Sequence, residues 1–182
     1  DNIALIDAPL GDVGVKQAKS LAIAGAHSDV QLVVCSPMTR ATQTALLAFG
    51  GLGVTFVPHP GLREIAPRGY GPPGTPQQPE CQGRPLQELQ EDSKLSVAKV
   101  GTQSVIDWTL LEDLGHAGPW WSPVVEEEVE VRKRLQSFCD WLMERPETHV
   151  AVVCHFNVIQ QLLQIRRLKV ENCAPFICEV SG

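Results

Sequence analysis

Two segments of this chain share one layout: a short apolar run rich in β-branched residues, a polar residue at its carboxyl end, and then a helical stretch. The first reads Leu32-Val-Val-Cys-Ser-Pro-Met-Thr-Arg40 and the second Val150-Ala-Val-Val-Cys-His155. A run without polar alternation is buried on both faces, as strands are in a parallel sheet that helices cover on either side. Strands alternating with helices give an α/β fold, read here as three-layer α/β/α with a mostly parallel, open sheet. In such a sheet every strand ends on one edge, where ligand crevices form. Arg40 and His155 are therefore placed to share a pocket.

The remaining elements follow from periodicity and punctuation. Leu10 to Ala26 reads as a helix, with Val13, Ala18, Leu21 and Ala22 near helical spacing and Asp12 as a cap. Gln31 to Cys35 predicts a strand; Ser36 and Pro37 then offer an N-cap and a proline at the first helical position, opening a helix to about Phe49. Val54 to Val57 predicts a second strand. Short helical pieces are expected around Leu86 to Leu89 and Val105 to Leu114. Glu126 to Arg145 is the strongest helix, with Val131, Leu135, Phe138 and Leu142 on one stripe and acids crowding its start. His149 to Cys154 predicts a buried strand, Asn157 to Leu168 a helix, and Pro175 to Val180 a closing strand.

From Ala66 to Pro85 prolines and glycines are so frequent that regular structure is not expected, and the reading is a surface excursion or lid. Gly69, Gly71 and Gly74 spell G-x-G-x-x-G, but Pro72 and Pro73 lie inside it and no strand or helix flanks it, which argues against a dinucleotide site. Trp120 and Trp121, between Pro119 and Pro123, are expected to pin their loop to the core.

The 182 residues, 43% hydrophobic, suit a single domain over 1–182. Fifteen Lys and Arg against 21 Asp and Glu give a net charge of -6, which disfavours nucleic acid and anionic membranes as partners. An anionic ligand then needs a local basic pocket. No apolar run approaches the roughly 20 residues of a membrane span. The six cysteines have no C-x-x-C spacing and the five histidines no H-x-x-x-H, so no metal site is expected. Buried free thiols and the lack of an Asn-x-Ser/Thr sequence point to an intracellular home, cytoplasm or organelle matrix. The chain starts at Asp1 with no signal pattern, and residues upstream are expected.

Three residues carry the candidate chemistry. Arg40 lies one turn inside its helix and leans toward the helix N-terminus, where guanidinium and free amides would cradle a phosphate or carboxylate; taken alone, it suits a pair with a neighbouring acid better. His155, at a strand end, has the pKa to donate to a phosphoryl oxygen or to carry a phosphoryl group, although a lone histidine there is more often structural. Glu64, after the second strand, is able to protonate a leaving alkoxide, and alone reads as a surface acid.

Asp7-Ala-Pro-Leu10 with Gly14-x-x-Gln17-Ala18, then Ser36-Pro-x-x-Arg40-Ala41-x-Gln43-Thr44-Ala45, resembles the phosphoglycerate-mutase-like histidine phosphatase superfamily. Leu62-x-Glu64, Glu80-Cys81-x-Gly83, Trp120-Trp121, Arg132 with Trp141-Leu142, Arg145-Pro146-Glu147, Val152-Val153-x-His155 and Asn172-Cys173 look like its eukaryotic branch, so the likeness spans nearly the whole chain. The resemblance implies a phosphohistidine mechanism without metal or organic cofactor. Arg40 would bind phosphate, His155 would be the second, charge-stabilising histidine, and Glu64 the proton donor; Gln43 and Thr44 would play structural or supporting parts.

Two departures stand out. The family's Arg-His-Gly motif, which ends the first strand and supplies the nucleophile and another arginine, is absent from this chain and would precede Asp1. The glycine normally after the second histidine is Phe156. In the family's sheet the missing strand is central, and its loss is expected to leave two interior ladders unpaired; an upstream segment or a partner would supply it. Whether the chain is an enzyme turns on that segment. With it, the expectation is a phosphomonoesterase, less so a mutase, on a small phosphorylated molecule, since the 66–85 excursion carries only Arg68 and Arg84 as fixed cations. The alternative is an inactive relative serving as a structural or regulatory subunit, alone or in a larger assembly.

Overall fold

The computed structural model describes residues 6–23, 28–67, 69–96, 104–115, 119–165 and 171–179. Four strands form one parallel sheet: β1 (Leu32–Cys35), β2 (Thr55–Pro58), β3 (Val105–Ile106) and β4 (Val150–Val153), in the order β3-β2-β1-β4. The helices are α1 (Asp12–Ile23), α2 (Thr39–Phe49), α3 (Leu86–Glu91), α4 (Thr109–Leu114), α5 (Glu128–Met143) and α6 (Phe156–Leu162). The architecture is the expected α/β/α one with a parallel sheet.

Two apolar clusters account for the layering. On one face Leu32, Val34 and Val57 pack with Val131, Leu135 and Phe138 of α5 and Val158 of α6. On the other, Val33, Cys35 and Phe56 pack with Ala45, Leu46, Ala48 and Phe49 of α2. Odd and even residues of β1 thus serve opposite faces, as the period of two requires, and all four are buried. The stripe read on α5 is the face that meets the sheet, with Leu142 packed at its margin. Glu127 and Glu130 close a capping box at the start of this helix, each side chain accepting from the other's backbone N–H.

β1 and β4 pair directly, register Leu32↔Val150 to Cys35↔Val153. Among the described residues the sheet therefore presents one unpaired edge on this side, along β4, rather than the two unpaired interior ladders expected from the sequence. β4 is correspondingly less buried than β1, and Val152 is 37% exposed.

Several local expectations are corrected. Helix α2 starts at Thr39, with Met38 rather than Ser36 as its N-cap and without a cap from Met38's own side chain. Asp7 does that work from outside, its carboxylate accepting from the backbone N–H and hydroxyl of Thr39. Val105–Ile106 is a strand, added in parallel to β2, so only Thr109–Leu114 of that stretch is helical. The segment 171–179 carries no strand. Helix α6 starts at Phe156, one residue early, and ends at Leu162 rather than Leu168: residues 163–165 are not helical, and 166–168 lie outside the described residues.

The 66–85 excursion is more ordered than its composition suggests. Pro76 bridges Val124, Pro79–Cys81 forms a 3₁₀ turn, and the segment leads into a third apolar cluster of Met38, Leu89, Leu95, Leu111 and Trp120. Trp120 anchors it: the indole is 6% exposed and donates through Nε1 to the carbonyl of Arg84. Its ring lies so close to Gly83 that a Cβ there would meet it at 2.2 Å, which explains a glycine at that position. Cys35 and Cys81 are buried free thiols, pushed up to about 12 by burial, whereas Cys178 is exposed.

Candidate active site

The carboxyl ends of β1, β2 and β4 each deliver one polar group to the same edge of the sheet. After β1 comes the Ser36–Met38 turn and then α2 with Arg40; after β2 the chain makes a 3₁₀ turn at Pro60–Leu62 and reaches Glu64; after β4 follows His155, the N-cap residue of α6. The structure brings the three sequence-selected residues together. Glu64 Oε2 lies 3.7 Å from the Arg40 guanidinium and 3.5 Å from His155 Nδ1. The other imidazole nitrogen, Nε2, is 2.8 Å from the Ser36 hydroxyl.

Burial sets the electrostatics of this group. The His155 side chain is 5% exposed, and burial, followed by the nearby Arg40 and Arg134 charges, holds its imidazole well below the ordinary histidine range. It is neutral at pH 7. Glu64 is pushed the other way: burial raises it, outweighing the N–H of Ile65 that donates to Oε1 and the attraction of Arg40. A carboxyl with an elevated pKa keeps a proton available in its pocket, which is the property a general acid needs.

Arg40 stands apart among the described arginines. Arg63 and Arg134 share Glu126, Arg84 holds Asp7 and Asp92, Arg132 pairs with Glu128 and Arg145 with Glu147, all by hydrogen-bonded contacts. The only acid that the structure pairs with Arg40 is Glu64, beyond hydrogen-bond distance at 3.7 Å. Its side chain is 27% exposed, open to a ligand from the sheet edge.

Of the residues around this group, the resemblance implied supporting parts for Gln43 and Thr44, whereas Ser36, Asn157 and Arg134 carried no sequence signal for the roles described next. Ser36, expected as a helix cap, faces His155 instead and also accepts from the Met38 N–H at 3.3 Å. Asn157 donates to the Ile65 carbonyl and so ties α6 to the turn bearing Glu64. From α5, Arg134 donates to the Gly61 carbonyl while clasping Glu126 with two of its nitrogens. Gln43 accepts from the Leu10 N–H and the Thr44 hydroxyl donates to the Arg40 carbonyl, so both brace α2. The contacts of Ser36 with His155, of Asn157 with Ile65 and of Arg134 with Gly61 join segments 73 to 119 positions apart, so no sequence spacing encodes them.

His59 is near the site but belongs to the core. It is 8% exposed, accepts from the Gly61 N–H through Nδ1, and packs edge-on against Phe138. A separate cavity of about 280 Å³, lined by His59, Arg63, Trp120, Trp121 and Arg134 among others, lies behind the 59–63 turn and includes none of Arg40, Glu64 and His155. Among the described residues no group of three or more His, Cys, Asp or Glu side chains is placed to hold a metal ion, and no helix is long and apolar enough to cross a membrane.

With this geometry in hand, comparison with known proteins is specific. A family model described as histidine phosphatase superfamily (branch 1) matches residues 4–178. The phosphoglycerate mutase-like protein 1 of Arabidopsis thaliana is 27% identical over 195 residues, covering 96% of this chain and 68% of the relative. Among solved structures, the ecdysone phosphate phosphatase of Bombix mori, in complex with tungstate, is similar with a TM-score of 0.55 at 21% identity, over 97% of this chain and 64% of that one. A mycobacterial glucosyl-3-phosphoglycerate phosphatase follows at a TM-score of 0.48 and 19% identity, over 87% and 69% of the two chains. This chain thus spans about two thirds of the length of these relatives.

Proposed function

The chain belongs to the histidine phosphatase superfamily, and from that premise we propose that the Arg40, Glu64 and His155 cluster is the phosphoryl-binding half of a phosphomonoesterase site acting on a small phosphorylated molecule. The observation that carries this reading is the state of Arg40: a partly open guanidinium without a hydrogen-bonded acid, at a sheet edge where the His155 imidazole and a buried carboxyl of raised pKa, Glu64, face it. A phosphoryl group entering there gains a bidentate contact from Arg40 and a hydrogen bond from His155, and its negative charge raises the basicity of that imidazole.

The reaction that the family resemblance implies then runs in two balanced halves. A nucleophilic histidine attacks phosphorus, the ester P–O bond breaks, and the departing alkoxide takes its proton from Glu64. A water molecule next attacks the phosphohistidine, giving its proton to Glu64 and releasing inorganic phosphate. The resemblance assigns the nucleophile and a second arginine to an Arg-His-Gly strand, a motif that residues 1–182 do not contain; the edge of β4, unpaired among the described residues, would offer such a strand a parallel partner. Hydrolysis is preferred over mutase chemistry because a mutase must hold a second anionic group, and Arg84 is already committed to Asp7 and Asp92.

The test is hydrolysis of p-nitrophenyl phosphate by the complete protein. The expected result is turnover blocked by vanadate, unaffected by EDTA and reduced at least about a hundredfold in Glu64→Gln. Activity unaltered in His155→Ala would overturn the role given to that residue. The second reading, an inactive regulatory or structural subunit, is supported by Phe156 in place of the family's glycine; phosphate binding without any turnover would favour it.

A further inference from the structure

Resting on the phosphoryl-binding reading above, we infer that the substrate is a monoester with a single phosphate and an uncharged, apolar alcohol portion, and that Phe156 is the residue that selects for it. The first support is charge. Among the described residues, the guanidiniums nearest the site other than Arg40 are occupied: Arg63 and Arg134 by Glu126, Arg84 by Asp7 and Asp92. Glu126 and Asp7 are nearly inaccessible, with side-chain exposures of 6% and 0%. A second anionic group on a substrate would have to strip a guanidinium from one of these carboxylates and leave a buried charge unpaired, a loss larger than the contact it would gain.

The second support is position. Phe156 follows His155 directly and opens α6. Its two neighbours both contact the turn after β2, His155 through Glu64 and Asn157 through the Ile65 carbonyl, so the backbone that carries Phe156 is fixed between them. The ring itself remains 45% exposed. Phe156 is therefore not folded into the core, and one residue from His155 it keeps an apolar ring open to cover by the alcohol portion of a substrate. An apolar leaving group covering that ring removes water from both surfaces.

The experiment is calorimetric titration of the full chain with non-hydrolysable probes: methylphosphonate, 1-naphthylmethylphosphonate and phosphonoacetate. The expected order has the naphthyl probe about tenfold tighter than the methyl one and phosphonoacetate no tighter than the methyl one. In Phe156→Ala the naphthyl advantage falls to about twofold while methylphosphonate affinity is unchanged; Phe156→Trp keeps the advantage. Arg40-dependent binding of methylphosphonate with no naphthyl advantage, an advantage that survives Phe156→Ala, or tighter binding of phosphonoacetate overturns this inference and leaves the phosphoryl-binding reading intact. Binding of all three probes unchanged in Arg40→Ala, or no binding of any, overturns both.

Discussion

Asp7 caps the helix of Thr39 from 32 positions away in sequence, Oδ1 accepting the backbone N–H at 2.7 Å and Oδ2 the hydroxyl at 2.6 Å. Arg84 completes the knot, donating from Nε to Asp7 at 3.1 Å and from its terminal nitrogen to the Thr39 hydroxyl at 2.7 Å. Arg40 is the next residue of the capped helix. The N-terminal segment, the 66–85 excursion and the helix bearing the phosphate ligand are thereby joined at one buried carboxylate.

Removing that carboxylate is expected to cost about 2 to 4 kcal/mol, the sum of a lost cap and an arginine left with one partner fewer. Urea unfolding of Asp7→Ala against wild type measures it. A change within about 0.5 kcal/mol would mean that the knot contributes little.

Acid should destabilise the fold through its buried histidines. His59 is brought down to about 4 from 6.5 by burial, and protonation would also remove the Nδ1 lone pair that accepts from Gly61. Because the folded pKa is depressed for a base, the unfolded chain binds more protons between pH 6.5 and 4 and stability drops as pH falls through that window, by about 3 kcal/mol from His59. His155 moves in the same direction. Asp7 and Glu64, whose carboxyls are raised by burial, work against it at lower pH. Comparing the pH dependence of wild type with His59→Asn isolates the term: the slope between pH 6.5 and 4 should be visibly shallower in the variant.

Gly83→Ala should overpack the cover of the site. The added methyl meets Trp120 at 2.2 Å, and the indole cannot move without giving up its bond to Arg84 and its contacts with Met38 and Leu111. A loss of about 1 to 3 kcal/mol with a red-shifted tryptophan emission is expected. Unchanged emission and stability would contradict the packing described.

Ser36→Ala leaves His155 Nε2 without its partner at 2.8 Å in a buried position. The expected cost is about 1 to 3 kcal/mol. Because the imidazole is then free to turn away from the sheet edge, phosphate affinity should weaken as well. Stability and affinity both equal to wild type would remove Ser36 from the site.

Much of this was legible in the sequence because it is carried by local patterns. The runs at Leu32 and Val150 declare buried strands, and residues at their carboxyl ends must share an edge once the sheet is parallel, which is how Arg40 and His155 are brought together by topology alone. What escaped is non-local. Ser36 followed by Pro37 has every local mark of a helix start, yet Asp7 supplies the cap from outside and the helix begins later, at Thr39. The proline-rich stretch reads as unstructured, and contacts with distant segments give it order: Pro76 with Val124, Gly83 with Trp120 and Arg84 with Asp7. Val105–Ile106 becomes a strand because β2 has an open edge for it to join, overriding a weak helical preference.

The most direct test of the central claim is a ³¹P NMR titration of inorganic phosphate into the full chain, with Arg40→Ala, His155→Ala and Arg145→Ala beside wild type. The account predicts saturable binding that weakens at least about a hundredfold without Arg40 and about tenfold without His155, and that stays unchanged without Arg145, whose charge is taken by Glu147. Equal phosphate affinity in wild type and Arg40→Ala would contradict it.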